Sequence, residues 1–170
     1  LNTWTQNSTA TLRNFWNLNV RSTIHLPSVD DAITRGGPYM GLPREFRQEF
    51  RVNNPFGAKT GWRLNGGYGV DEFGAWRRNV SGQITLRPSP RVSVSVEPTL
   101  QSGTEPRQYV TRIVGGTRTY GNRYVFAFID RTTISTKLRA NYAFSPNLSL
   151  EAYAEPFVAT GHYSRMGELS

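Results

Sequence analysis

The chain contains no cysteine, and that absence removes disulfide bridges, thiolate metal sites and cysteine nucleophiles together. It also fits folding in an oxidising envelope compartment. Histidine is almost as scarce: His25 and His162 are the only two, they fall on different segments, and no HExxH or comparable spacing assembles ligands for a metal. Both read as ordinary polar-face residues. No apolar run approaches the roughly 18 residues of a transmembrane helix. A membrane-crossing strand survives that test, because its apolar residues alternate with polar ones.

Chemical motifs are missing too. No GxSxG elbow presents a serine nucleophile. Gly66, Gly67 and Gly69 lack the Lys-Ser/Thr and helix of a phosphate loop, and read as relief for a curved or bulged strand. The acidic pairs Asp30-Asp31 and Asp71-Glu72 lack the oxygen-rich alternation of a calcium loop and read as solvated loop residues. The expectation is a non-enzyme with no catalytic residue, no cofactor, no metal and no identified small-molecule substrate.

What the sequence does contain is alternation. From Thr133 to Val158 it reads TISTKLRANYAFSPNLSLEAYAEPFV. Ile134, Leu138, Ala140, Tyr142 and Phe144 take even positions, as do Leu148, Leu150, Ala152 and Ala154; Ser135, Lys137, Arg139, Asn141, Ser149, Glu151, Tyr153 and Glu155 take odd ones. Only a β-strand sends successive side chains to opposite faces, so this is a hairpin with one apolar and one wet face. Pairing Phe144 with Leu148 sets Tyr142 opposite Leu150, Asn141 opposite Glu151 and Lys137 opposite Glu155, so both faces agree on one register.

The same parity recurs upstream in strands carrying Leu18 to Leu26, Phe46 to Val52, Trp62 to Val70, Trp76 to Leu86 and Val92 to Leu100, with a further strand at Thr9 to Arg13 and one long strand from Arg123 to Phe144. The prediction is a single all-β domain over residues 1–170, an antiparallel up-and-down meander of about eight strands resembling an outer-membrane barrel, open or partial. The 16 glycines and 10 prolines suit many turns. Short connections at 14–17, 53–59, 88–90 and 145–147 alternate with loops at Pro27–Pro43, Asp71–Gly74 and Ser102–Asn122. One rim is trimmed and the other elaborated.

Several runs carry a resemblance: TRGGPYM (Thr34 to Met40), GGYGVDEFGAW (Gly66 to Trp76), LRPSPRVSVSVEP (Leu86 to Pro98), and QYV with the segment YGNRYVFAFID onward to Tyr163. Together they resemble the C-terminal β-barrel region of a bacterial envelope protein family of unknown function, in whose larger members that region follows a carbohydrate-binding-like β-sandwich. The resemblance implies an outer-membrane-type sheet and brings no catalytic residues. It also implies that the chain is part of a longer plan, as does its start at Leu1 without a charged-then-apolar leader. Eight strands in this phase leave both ends on the long-loop rim, whereas outer-membrane barrels keep theirs on the short-turn rim.

Net charge is +8, and 18 of the 20 basic residues are arginine. They recur singly on the wet face of successive strands among glutamates rather than in clusters, which argues against nucleic acid. Trp16, Trp62 and Trp76 are expected at a lipid interface or docking surface. Tyr124, Phe126 and Phe128, in a segment apolar on both faces, are expected to touch something outside the sheet. Arg107, Arg112 and Arg118 are expected in a docking loop. The expected function is a structural scaffold or interaction surface of the bacterial envelope, in outer membrane or periplasm, partnered by a membrane or a membrane-protein complex. A soluble extrinsic subunit docked on such a complex, and a pore with an Arg/Glu-lined lumen, are the alternatives.

Overall fold

A computed structural model of the chain describes residues 3–55, 59–116, 119 and 121–168. Among these, every regular element is a strand: β1 (Thr3–Thr11), β2 (Asn17–His25), β3 (Ser28–Asp30), β4 (Met40–Leu42), β5 (Glu45–Asn53), β6 (Thr60–Asp71), β7 (Trp76–Ser89), β8 (Val92–Val114), β9 (Asn122–Ser145), β10 (Leu148–Ala154) and β11 (Phe157–Glu168). The main sheet runs β1-β2-β5-β6-β7-β8-β9-β10, with β11 also on β9, while β3 and β4 form a separate small hairpin. All pairings are antiparallel.

β10 and β11 are two halves of one eighth strand. Ala154 faces Leu138 and Phe157 faces Ser135, so the register on β9 continues across Glu155 and Pro156. Proline has no N–H to give, and an edge position tolerates that loss; its carbonyl still accepts the Thr136 N–H at 3.1 Å. The sheet does not close: β1 and β10–β11 have no strand on their outer sides. β1 is nine residues of Thr, Trp, Gln, Asn, Ser and Ala with no charge and no proline.

Register preserves parity across most of the sheet. Trp4 faces Ile24, Ile24 faces Phe46, Phe46 faces Val70 and Val70 faces Trp76. On the other half Val94 faces Ala140, Val96 faces Leu138 and Tyr142 faces Leu150. Even residues therefore share one face and odd residues the other, as the alternation predicts.

Four details differ from the expectation. The first strand begins at Thr3 rather than Thr9, because Thr, Asn and Ser on both faces give it almost no apolar contrast. The expected loop at Ser102–Asn122 is mostly strand: β8 continues to Val114, with irregularities between Glu105 and Gln108 and between Tyr109 and Thr111 that accommodate Pro106 and blur the alternation. The 71–74 connection is a tight turn, in which Asp71 Oδ1 accepts the Phe73 and Ala75 N–H groups at 2.9 Å and Gly74 has φ 88°. In the last hairpin Leu148 pairs with Ser145 rather than Phe144, and a bulge before Ser149 restores the predicted register from Ala143 onward.

The buried core is small and lies at the long-loop end. Tyr124 is 3% exposed, Phe126 6%, Ala127 1% and Ile129 9%. The connection between β3 and β4 covers part of this cluster. Thr34 is buried with its hydroxyl 2.8 Å from the Asp31 carbonyl and 2.9 Å from that of Pro38. The Arg35 guanidinium lies 4.6 Å above the Tyr109 ring, which meets Phe126 edge to face at 6.0 Å. Gly37 packs so closely that an added Cβ would stand 2.5 Å from the Tyr124 ring. Gly37→Ala should therefore destabilise the fold by about 1–3 kcal/mol through overpacking, measured as a lower urea midpoint. An unchanged midpoint would show that the loop is not seated on Tyr124.

Candidate functional site

The even-numbered face is the most prominent candidate. Phe46, Phe50, Leu64, Val80, Ile84, Leu86, Val94, Val96, Leu100, Ile134, Leu138, Tyr142, Leu150 and Val158 are all exposed, with Ile84 at 56% and Val158 at 68%. A sheet packed on a second layer would bury such residues. This one carries an apolar surface that runs from β5 to β11, far beyond the isolated exposed leucines of an ordinary soluble surface.

The belt has recognisable margins. At the short-turn end Trp16 and Trp62 meet edge to face at 4.8 Å, and Tyr142 and Phe144 do so at 4.5 Å. At the other end Trp4 and Trp76 lie on one cross-strand row, and the Arg78 guanidinium sits 5.6 Å from the Trp76 ring. Trp4 belongs with the three tryptophans read from sequence; its strand's weak alternation hid it. One step below that row, register aligns Gln6, Ser22, Gln48, Tyr68, Arg78, Ser102, Thr132 and Thr160, a polar line across the apolar face. Ser22 donates to Gln48 Oε1 at 2.7 Å, and the Ser102 and Thr132 hydroxyls are 3.0 Å apart. Toward β11 the polar character extends to Asp130, bonded by the Thr104 hydroxyl, and to His162. Trp76, Ser102, Asp130, Thr132, Thr160 and His162 line a shallow groove of about 310 Å³.

The opposite, odd-numbered face is wet and internally bonded. Asn19 Nδ2 donates to Asn7 at 2.8 Å and to Thr9 at 2.9 Å, and Arg51 donates to Asn65, which donates to Ser81. Glu45 takes Arg47 at 3.0 Å and Arg77 at 3.4 Å. At the arm made by β8 and β9, Arg123 donates to Glu168 at 2.8 Å and holds that carboxyl below the ordinary range. This tie is present above the usual carboxylate pKa and is lost as pH falls through the lowered one.

The residues singled out from sequence divide. Tyr124 and Phe126 are buried within the chain, and Arg165 lies 4.3 Å from the Phe128 ring, so the segment apolar on both faces is covered largely by its own chain. Arg107 is not in a docking loop: it pairs with Asp71 at 2.6 Å, with Glu105 at 3.6 Å, and sits near the Phe73 ring. Its side chain is 12% exposed and that of Asp71 4%. The pair ties the irregular part of β8 to the β6–β7 turn. Arg112 is exposed on the arm, opposite Tyr124 in register, and Arg118 lies outside the described residues. Among the described residues no group of three or more His, Asp or Glu could hold a metal ion.

Asp71→Asn keeps the Oδ1 acceptor of the turn but takes from a buried guanidinium its nearest counter-charge, leaving it only the more distant Glu105. The expected loss is about 3–5 kcal/mol, the usual effect of breaking one side of a buried pair, read by chemical denaturation. A loss below about 1 kcal/mol, the range of a surface pair, would show the site to be solvated. No protein-family model, curated protein or solved structure matches this chain, and its function is to be read from the chemistry of the two faces.

Proposed function

We propose that the protein is a non-enzymatic element of the bacterial envelope whose even-numbered face lies against the hydrocarbon of the outer membrane, serving as a structural scaffold. The observation that carries this reading is the exposed apolar belt with aromatic margins. Its dimensions support it. From Ile134 to Phe144 along β9 are ten steps of about 3.3 Å, about 25 Å of height at the tilt of about 40° usual for such strands, which matches the apolar band of outer-membrane barrels. The wet face, with its arginines, glutamates and amides, has the composition of a surface turned away from lipid. No helix among the described residues is long and apolar enough to cross a membrane, so the strands would provide the contact.

A second reading, a subunit docked on a larger membrane complex, is favoured by the open edges and by the β8–β9 arm, whose strands of 23 and 24 residues are more than twice the length of β5. Fractionation separates the two. Resistance to alkali and extraction only by detergent support the membrane reading, and release by salt or mild alkali supports docking. A sharper test places charge on either face of β9: Leu138→Arg should weaken folding into lipid vesicles by about 2–4 kcal/mol, and Ser135→Arg, on the wet face, by much less. Equal effects of the two substitutions would sink the lipid-facing assignment.

A further inference from the structure

Register places six residues on one line across the odd-numbered face: Arg47, Gly69, Arg77, Gly103, Arg131 and Gly161, each directly opposite the next. Arginine and glycine alternate strand by strand, an order distributed over more than a hundred residues of sequence. The glycines leave the guanidinium-bearing stems uncrowded. At Gly69 an added Cβ would stand 3.1 Å from Arg77 Cγ, and at Gly103 it would stand 2.5 Å from the Trp76 carbonyl oxygen. The line is therefore bare backbone between charged arms.

The two ends of this line differ. Arg47 and Arg77 converge on Glu45. Arg131 is exposed and has no carboxylate or hydrogen-bond partner among the described residues. It lines a groove of about 530 Å³ over Gly103, with Arg77 on the other wall and Asn79, Gln101 and Thr133 alongside. The side chains of Asn79, Gln101 and Thr133 also have no hydrogen-bond partner among the described residues, unlike Asn19, Asn65 and Arg51 on the same face. Glu105, at the groove's margin, is engaged by Arg107 at 3.6 Å.

We infer that this groove is an oxyanion-binding site, for a carboxylate, sulfate or phosphate group. Arg131 supplies the uncompensated charge and a planar donor fork that fits such groups bidentately. Arg77 stands two strands away, about 10 Å between Cα atoms, with room for one oxyanion above Gly103. Gln101, Asn79 and Thr133 complete the donor set. The site lies on the face opposite the apolar belt, so it stands whether that belt meets lipid or protein.

The test is isothermal titration calorimetry of the folded protein in a non-ionic detergent, with sodium sulfate, phosphate or citrate, at ionic strength held constant with sodium chloride so that screening is equal. Saturable binding of at least one anion is expected, and the anion that binds identifies the chemistry of the group. Arg131→Gln should weaken it by about tenfold or more, the effect of losing a charged hydrogen bond. Arg77→Gln should weaken it less, since Arg77 is shared with Glu45. Arg139→Gln, whose guanidinium lies 5.0 Å from the Tyr153 ring away from the groove, should leave it unchanged. Circular dichroism confirms that each variant is folded. No saturable heat with any of the three anions, equal affinity in Arg131→Gln, or an equal loss in Arg139→Gln overturns the proposal.

Discussion

Register parity is the constraint from which the rest of the molecule follows. Outside the irregular upper part of β8 and β9, the pairings of the main sheet join even residues to even and odd to odd, except beside two turns, where Ser89 faces Val92 and Leu148 faces Ser145. A slip of one residue at any turn would move a whole strand's apolar set to the other side. The bulge before Ser149 shows how this is kept: the turn at Pro146 and Asn147 starts one residue out of step, and the bulge corrects it before Leu150 meets Tyr142. The two faces are accordingly products of turn geometry as much as of side-chain chemistry.

Where parity breaks in the upper part of β8 and β9, the described residues build a compact cluster. The irregularities of β8 let Tyr109 meet Phe126 and bring Arg107 down onto Asp71. The run Thr34 to Gly37 closes over the same end, and each residue has a distinct part. Thr34 is buried with its hydroxyl on two carbonyls, Arg35 stacks on Tyr109, Gly36 takes a φ of 82°, and Gly37 leaves room for the Tyr124 ring. A single-layered sheet thus gains a fixed cap without a second layer.

Legibility in the sequence tracks contrast. Strands such as β9 and β10, where Leu, Ile and Tyr alternate with Lys, Arg and Glu, are readable to within a residue or two. β1 is not, because TWTQNSTAT is polar on both sides apart from Trp4 and Ala10. The segment at Ser102–Asn122 hid a strand behind Pro106 and its bulges, and with it the true place of Arg107. The arginine and glycine line was beyond reach for another reason. It runs perpendicular to the chain, and no one-dimensional pattern connects Arg47 with Gly161 until the pairing of every intervening strand is known.

The unclosed sheet sets a condition on its surroundings. Along β1 and β10–β11 a row of backbone amides and carbonyls faces outward. Hydrocarbon cannot solvate these groups, and each one left bare costs several kcal/mol. β1 also lacks the lysine, proline or bulge by which soluble proteins guard such a border. Wherever water is excluded, additional strands must stitch onto these two flanks, so the sheet described here is complete in its faces and incomplete in its perimeter.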